Sequence, residues 1–138
     1  MATLLPTTGD SIDLIEFQEE QMPSLGFNLD IVRDRVRGMN DNREAVAQAV
    51  YLILNTERYM HSIYSWNYGC ELTDLIGKPM DFAMSEVKRK ITEALTADDR
   101  IDSVDSFEFQ PGKNTLEVTF AVHTIYGDIP AEKEVQIA

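Results

Sequence analysis

Carboxylates are the most abundant reactive groups in this chain, with 24 acidic side chains against 12 Lys and Arg. Hydrolysis of a glycosidic bond needs two carboxyls across a cleft, one held protonated. Glu57, Glu71 and Asp74 flank the densest aromatic stretch and are the candidates for such a pair. Their spacing neither forces nor forbids that geometry, so a peptidoglycan hydrolase stands as the alternative to a non-enzymatic reading. No serine lies in a nucleophile-elbow pattern, and the pairs Gly77-Lys78 and Gly112-Lys113 lack the glycine-rich context of a phosphate loop. Cys70 is the only cysteine, which excludes an internal disulfide and a cysteine-based zinc site. His61 and His123 have no second ligand type at metal-binding spacing and read as structural. No catalytic residue, metal or cofactor is expected.

The elements that would position these groups fit one ordinary domain of 138 residues. No apolar run reaches the roughly 20 residues needed to cross a bilayer. The first residues lack the basic and apolar regions of a signal peptide, so synthesis in the cytoplasm is expected. A net charge of −12 argues against nucleic acid, whose phosphates need clustered cations. Within 1–26 the charged residues are Asp10, Asp13, Glu16, Glu19 and Glu20, all acidic, and the basic residues begin at Arg33. That stretch reads as an extended acidic arm. It is either an untethered tail or a segment that orders by adding to a neighbour's sheet edge.

Residues 27–138 read as a single α+β domain. Alternation from Phe27 to Arg37 predicts one strand, ended by Gly38-Met39-Asn40. A helix follows from about Asn42 to Asn55 or Glu57. Asp41 and Glu44 have capping-box spacing, with Asn40 as the alternative cap, and the apolar stripe is Val46, Ala49, Val50, Ile53 and Leu54. The aromatic segment Tyr59 to Gly69 reads as core plus the edge of a protein interface rather than a stacking platform. A short helix or turn over 71–76, closed by Gly77 and Pro79, precedes a second helix from about Asp81 to Ala97. Its stripe is Met84, Val87, Ile91, Ala94 and Leu95, with Lys88, Arg89 and Lys90 together on the polar side. Ile101–Phe109, Leu116–Val122 and Ile129–Ile137 then predict an antiparallel β-meander, with Pro130 confining the last strand to an edge. The expected fold is two main helices packed on a small meander, preceded by the arm.

From the first helix onward the chain resembles the baseplate wedge or sheath-initiator proteins of contractile phage tails and tail-like particles. The branch it is most similar to is found in prophages and bacteriocins of Gram-positive bacteria. One anchor runs from Glu44 to Tyr59 and includes Glu57-Arg58. It continues through Ile63-Tyr64-Ser65-Trp66-Asn67-Tyr68-Gly69 and Leu72 to Gly77. A second anchor is Asp98-Asp99-Arg100-Ile101, where the family often carries Glu-Pro-Arg and an aliphatic residue. Asp99 in place of the proline departs from that pattern.

The resemblance implies a virion or particle baseplate subunit that templates the first sheath ring by strand addition. Its implied partners are sheath subunits, other wedge or hub proteins and the tail tube, with several copies around the tail axis. Neither nucleic acid nor membrane is implied as a partner. The interface residues expected on this basis are Ile12, Leu14 and Phe17 in the arm and Glu57, Arg58, Trp66 and Tyr68 around the aromatic turn. Asp98 and Arg100 are expected in the loop after the second helix, and Val135 and Ile137 in the last strand. Arg100 is expected to latch subunits or order the domain, since a guanidinium fork can hold a carboxylate or two carbonyls. Removal of 1–26 or 128–138 is expected to spare the fold and abolish partner binding.

Overall fold

The computed structural model describes residues 23–138. Ile12, Leu14 and Phe17 lie outside them. The fold is α+β, with two helices, a two-stranded hairpin and a three-stranded antiparallel sheet in the order β3-β4-β5.

The sheet organises the core. β4 (Thr115–Thr124) is its central strand, and the sequence alternation matches its burial. Leu116, Val118, Phe120 and Val122 are buried against the helices, while Glu117 faces solvent. β3 (Ile101–Pro111) carries two register shifts, between Ile101 and Ser103 and between Asp105 and Glu108. Such bulges bend a strand and strengthen its twist, which lets the sheet wrap a helix. β5 (Gly127–Gln136) closes the meander in unbroken register with β4, from Thr124↔Gly127 to Thr115↔Gln136.

Both helices lie on the same face of the sheet, α1 (Asn42–Leu54) over β5 and α2 (Met80–Thr96) over β3. The buried positions of α1 are Ala45, Val46, Val50, Ile53 and Leu54, and those of α2 are Ala83, Val87, Ile91, Ala94 and Leu95. Both stripes differ from the expected ones by a single position: Ala49 and Met84 are only partly buried, and Ala45 and Ala83 face the core. Asp41 is the N-cap of α1, and its carboxylate accepts the Asn42 N–H at 2.7 Å instead of the N–H of Glu44. Asn40 is buried and donates from Nδ2 to Gln48 Oε1 at 2.9 Å.

Two expectations fail in this part of the molecule. The single strand over 27–37 is a hairpin: β1 (Gly26–Asp30) pairs antiparallel with β2 (Arg35–Asn40) across a turn in which Asp34 takes a φ of +49°. The turn through Ile31, Val32, Arg33 and Asp34 contains no Gly or Pro to mark it, and its trace in the sequence is a change of parity, from apolar residues at 27, 29 and 31 to arginines at 33, 35 and 37. Gly38, expected to end the strand, sits within β2 at φ +71°. The basic triplet of α2 also fails to form one face. Successive helical residues are rotated by about 100°, and these three point to different partners. Lys88 Nζ lies 5.8 Å from the Phe107 ring, Arg89 pairs with Glu86 and Glu93, and Lys90 donates to the Glu71 carbonyl at 3.0 Å.

The chain end is part of the core. Val135 and Ile137 are buried, the Ile137 N–H donates to the Asn114 carbonyl at 2.9 Å, and Gly77 N–H donates to the Ile137 carbonyl at 2.6 Å. Together with Ile129 and Ala131 they supply one edge of the apolar layer. Removal of 128–138 would therefore expose the stripe of α1 rather than spare the fold.

Candidate functional site

The loop from Asn55 to Leu72 shows why a Tyr-Gly pair sits where it does. It crosses the surface in successive turns, with Met60 N–H donating to Glu57 O, Tyr64 to His61 O and Tyr68 to Ser65 O. The last turn then returns against the end of α1. Gly69 is buried at φ +99°, and a Cβ on it would lie 2.7 Å from the Thr56 carbonyl oxygen and 3.0 Å from the Arg58 nitrogen. Only glycine fits both the dihedral and the approach. The same Thr56 carbonyl accepts the Cys70 N–H at 2.9 Å, which seats the Cys70 thiol in the core. Burial pushes that thiol up to about 12.

Tyr68 is half-buried beside this turn, its ring stacked on Tyr64 with centroids 4.6 Å apart. Burial raises its hydroxyl pKa. The rest of the segment is not core. Trp66 is 82% exposed and Ile63 84%, and Tyr59 and Met60 are also open to solvent. Of the expected core plus interface edge, the core part is limited to half-buried Tyr68 and buried Gly69. A run of single turns has no repeating face, so each turn projects its side chains outward, and Trp66 makes only an edge contact with Tyr59 at 5.9 Å. Exposed apolar groups packed this densely are the mark of an interaction surface.

The loop after α2 supplies the opposite wall. Asp98 accepts three hydrogen bonds from Arg100: from its backbone N–H at 3.0 Å, from Nε at 2.9 Å and from Nη2 at 2.7 Å. Both side chains are largely buried, with 14% and 16% exposure. Burial alone would raise the Asp98 carboxyl, but the Arg100 hydrogen bonds and charge outweigh it and hold the pKa below the ordinary range. Bonding to Asp98 raises Arg100 in turn. The Arg100 carbonyl accepts the Ile125 N–H at 3.1 Å, tying this loop to the β4–β5 turn. The fork thus orders the α2–β3 connection from within.

Tyr68, Gly69, Asp98 and Arg100 line one groove of about 440 Å³, with Ile53 at its floor and Pro23 at its rim. Two motifs separated by some thirty residues of sequence therefore form a single feature. Arg58 belongs elsewhere. It pairs with Glu93 at 3.1 Å, and its Nε is buried with no hydrogen-bond partner among the described residues. Burial opposes its charge, and the Glu93 contact offsets this and raises its pKa. Glu57 lines a separate groove of about 230 Å³, together with Lys133 and Val135.

The hydrolase candidates are not gathered into one cleft. Glu71 lines a polar recess with Arg58, Lys90 and Glu93, whereas Asp74 is exposed and lies 3.8 Å from Lys90. The structure brings together Tyr68, Asp98 and Arg100, sets Trp66 beside them in the loop, puts Glu57 and Val135 in the second groove, and leaves Arg58 and Ile137 outside both.

One feature escaped the sequence reading. His123 on β4 bridges Asp105 of β3 at 2.7 Å and Asp128 of β5 at 2.6 Å across the open face of the sheet. Hydrogen bonds to Asp128 and Asp105 raise the imidazole pKa. Its position opposite Asp128, near a tight turn, was the only available signal, and it needed the strand register to be read.

Comparison with known proteins agrees with these motifs. The protein Phage-like element PBSX protein XkdS of Bacillus subtilis (strain 168) is 42% identical over 93 residues, 65% of this chain and 66% of that protein. The match thus spans just under two thirds of the relative's length. The family described as contractile injection system sheath initiator matches residues 24–127, which include both walls of the groove and most of the sheet. On that span, the chain belongs to the contractile injection system sheath initiator family.

Proposed function

We propose that this chain is a non-enzymatic structural subunit of a contractile tail baseplate that templates the first sheath ring by offering the free edge of β5 for strand addition. Its partners on this reading are sheath subunits at that edge and other baseplate proteins at the groove beside Arg100 and Trp66. The copies stand around the tail axis, next to the tube.

The observation that carries the reading is the position of β5. It ends the strand order, so one of its backbone edges pairs with no strand among the described residues. Pro130 opposes Ala121, and a proline has no N–H to give the ladder. Pro130 therefore sits in a pair that does not exchange hydrogen bonds, and Asp128, Glu132, Glu134 and Gln136 share its parity. Their backbone groups face outward. In agreement, the Asp128 carbonyl accepts from Arg43 Nη2 at 2.8 Å rather than from β4. Beyond that contact, the N–H and C=O groups of Glu132 and Glu134 are available to an incoming strand. Because Val135 and Ile137 are buried, recognition at this edge comes from backbone pairing and the exposed acidic side chains, not from those two residues.

The test is Glu132→Pro in the full chain, which removes one outward N–H and leaves the inner ladder intact. Binding to purified sheath subunit is followed by co-sedimentation, with Glu132→Ala as the side-chain control and near-UV circular dichroism as the check on folding. Loss of binding in the proline variant alone supports edge addition. Equal binding by both variants overturns it.

A further inference from the structure

The face of the three-stranded sheet turned away from the helices is uncovered, and one end of it carries like charges in register. Glu117 of β4 directly opposes Glu134 of β5, and Glu132 lies two residues along the same strand, all three exposed. Like charges directly opposite each other destabilise a sheet. No cation among the described residues pairs with any of the three. Lys133, between the two β5 glutamates, is turned instead to Asn55, whose Oδ1 accepts from its Nζ at 2.9 Å. At the far end of the same face, by contrast, Asp105 and Asp128 are both met by His123.

The complementary charge lies on the β1–β2 hairpin. Arg35 and Arg37, two apart on β2, share one face of that hairpin, and Arg33 in the turn joins them. Arg33 and Arg35 both approach Asp30, at 3.9 and 3.8 Å, beyond hydrogen-bond contact, and Arg37 pairs with no carboxylate among the described residues. The hairpin cannot serve its own sheet. It packs on α1, where Gln48 bonds to Leu29 and Phe27, and the helical layer separates it from the open face.

We propose that the β1–β2 hairpin of one copy docks on the open sheet face of a second copy, with Arg33, Arg35 and Arg37 against Glu117, Glu132 and Glu134. Residues two apart on a strand stand about 7 Å from each other, so Arg35 and Arg37 repeat at the interval of Glu132 and Glu134. Each guanidinium fork can take a carboxylate on two hydrogen bonds. Hairpin repels hairpin and face repels face, which disfavours a two-fold dimer through either patch. The contact is therefore head-to-tail and can be repeated from copy to copy, closing a ring where the rotation per step allows. It uses side chains on the sheet face and leaves the backbone edge of β5 free. Its failure leaves sheath templating at that edge untouched.

Charge-swapped full-length chains provide the test. One variant is Arg33→Glu, Arg35→Glu, Arg37→Glu. The other is Glu117→Lys, Glu134→Lys, which keeps a like-charged pair in the ladder and so the same internal cost. Near-UV circular dichroism checks that both fold. Self-association without any other tail protein is followed by sedimentation velocity over a concentration series. Salt is held near 0.15 M, where screening beyond roughly 8 Å limits the general repulsion between chains of net charge −12. The native chain is expected to associate, each variant alone at least about tenfold more weakly, and the mixture to recover, because each variant keeps the patch that the other has lost. In an Arg37→Lys chain, carbodiimide cross-linking of isotope-labelled with unlabelled copies should join position 37 of one to Glu132 or Glu134 of another. Four results overturn the proposal: a native chain that stays monomeric throughout, a variant that associates as the native chain does, a mixture no more associated than its components, or inter-copy cross-links from position 37 that avoid the sheet face.

Discussion

Replacing Gly69 with alanine isolates the geometry that joins the two halves of the groove. Two costs add at this position. An L-residue held at positive φ loses about 1–2 kcal/mol. The new Cβ would also sit 2.7 Å from the Thr56 carbonyl oxygen and 3.0 Å from the Arg58 nitrogen, backbone atoms that cannot rotate away. Moving that carbonyl breaks its bond from the Cys70 N–H, and a buried donor left unsatisfied costs about 1–3 kcal/mol. The total is about 2–5 kcal/mol. For a domain of this size each kcal/mol lowers Tm by roughly 3–5 °C, so Gly69→Ala should lower it by about 6–25 °C. Gly77→Ala is the control, because its φ is +85° but a Cβ would meet nothing within 4 Å. It carries only the dihedral cost, a loss of about 3–10 °C. Differential scanning calorimetry of the two variants distinguishes them. Equal shifts, or a Gly69→Ala loss no larger than that of Gly77→Ala, would refute the close-approach argument.

Cys70, with its pKa pushed up to about 12, should resist thiol-specific reagents in the native protein and react at the rate of a free cysteine once denatured, as a chromogenic thiol assay would show. Arg100→Lys should cost about 1–2 kcal/mol by urea unfolding, since an ammonium cannot form the two-point fork to Asp98. The Asp98 pKa is depressed in the fold, so this pair stabilises above the unfolded carboxyl value, and the difference between native and Arg100→Lys proteins should vanish as pH falls through the folded value. For His123 the sign reverses. Its pKa is raised, so its bridge stabilises fully below the ordinary imidazole value and is lost as pH rises through the folded one, and the Tm advantage over His123→Gln should decline across that window. A chain ending at Gly127 should fail to give a cooperative thermal transition, because Ile129, Val135 and Ile137 leave the core with β5.

Much of the fold was legible because its signals were redundant. In β4 the inner face is apolar at every position from Leu116 to Val122 and the outer one carries Glu117, Thr119 and Ala121, so period, propensity and burial agree. Both helices gave nearly their full stripes for the same reason. The hairpin was not legible: a turn through Ile31, Val32, Arg33 and Asp34 has no Gly or Pro, and its one mark is a change of parity, from apolar residues at 27, 29 and 31 to arginines at 33, 35 and 37. The Tyr59 to Trp66 segment misled in another way. Aromatic content suggests burial, yet exposure depends on whether the backbone presents those residues to a common face, and a chain of single turns does not.

The site was half legible. Resemblance marked Tyr68-Gly69 and Asp98 to Arg100, but not that they share a groove, which follows from how α1 and α2 end side by side. The Arg100 fork was expected to latch, and it holds a carboxylate two residues away. Val135 and Ile137 were assigned to an interface on their place at an edge. The edge belongs to the backbone, while their side chains alternate inward with Ile129.

The most direct measurement is electron microscopy of sheath assembly from the purified sheath subunit and baseplate proteins, with this chain present or omitted. Templating at β5 predicts ordered sheath only when the chain is present, with its density between the baseplate and the first ring and a sheath strand along β5. Ordered sheath of normal yield without the chain, on particles that lack its density, would contradict it.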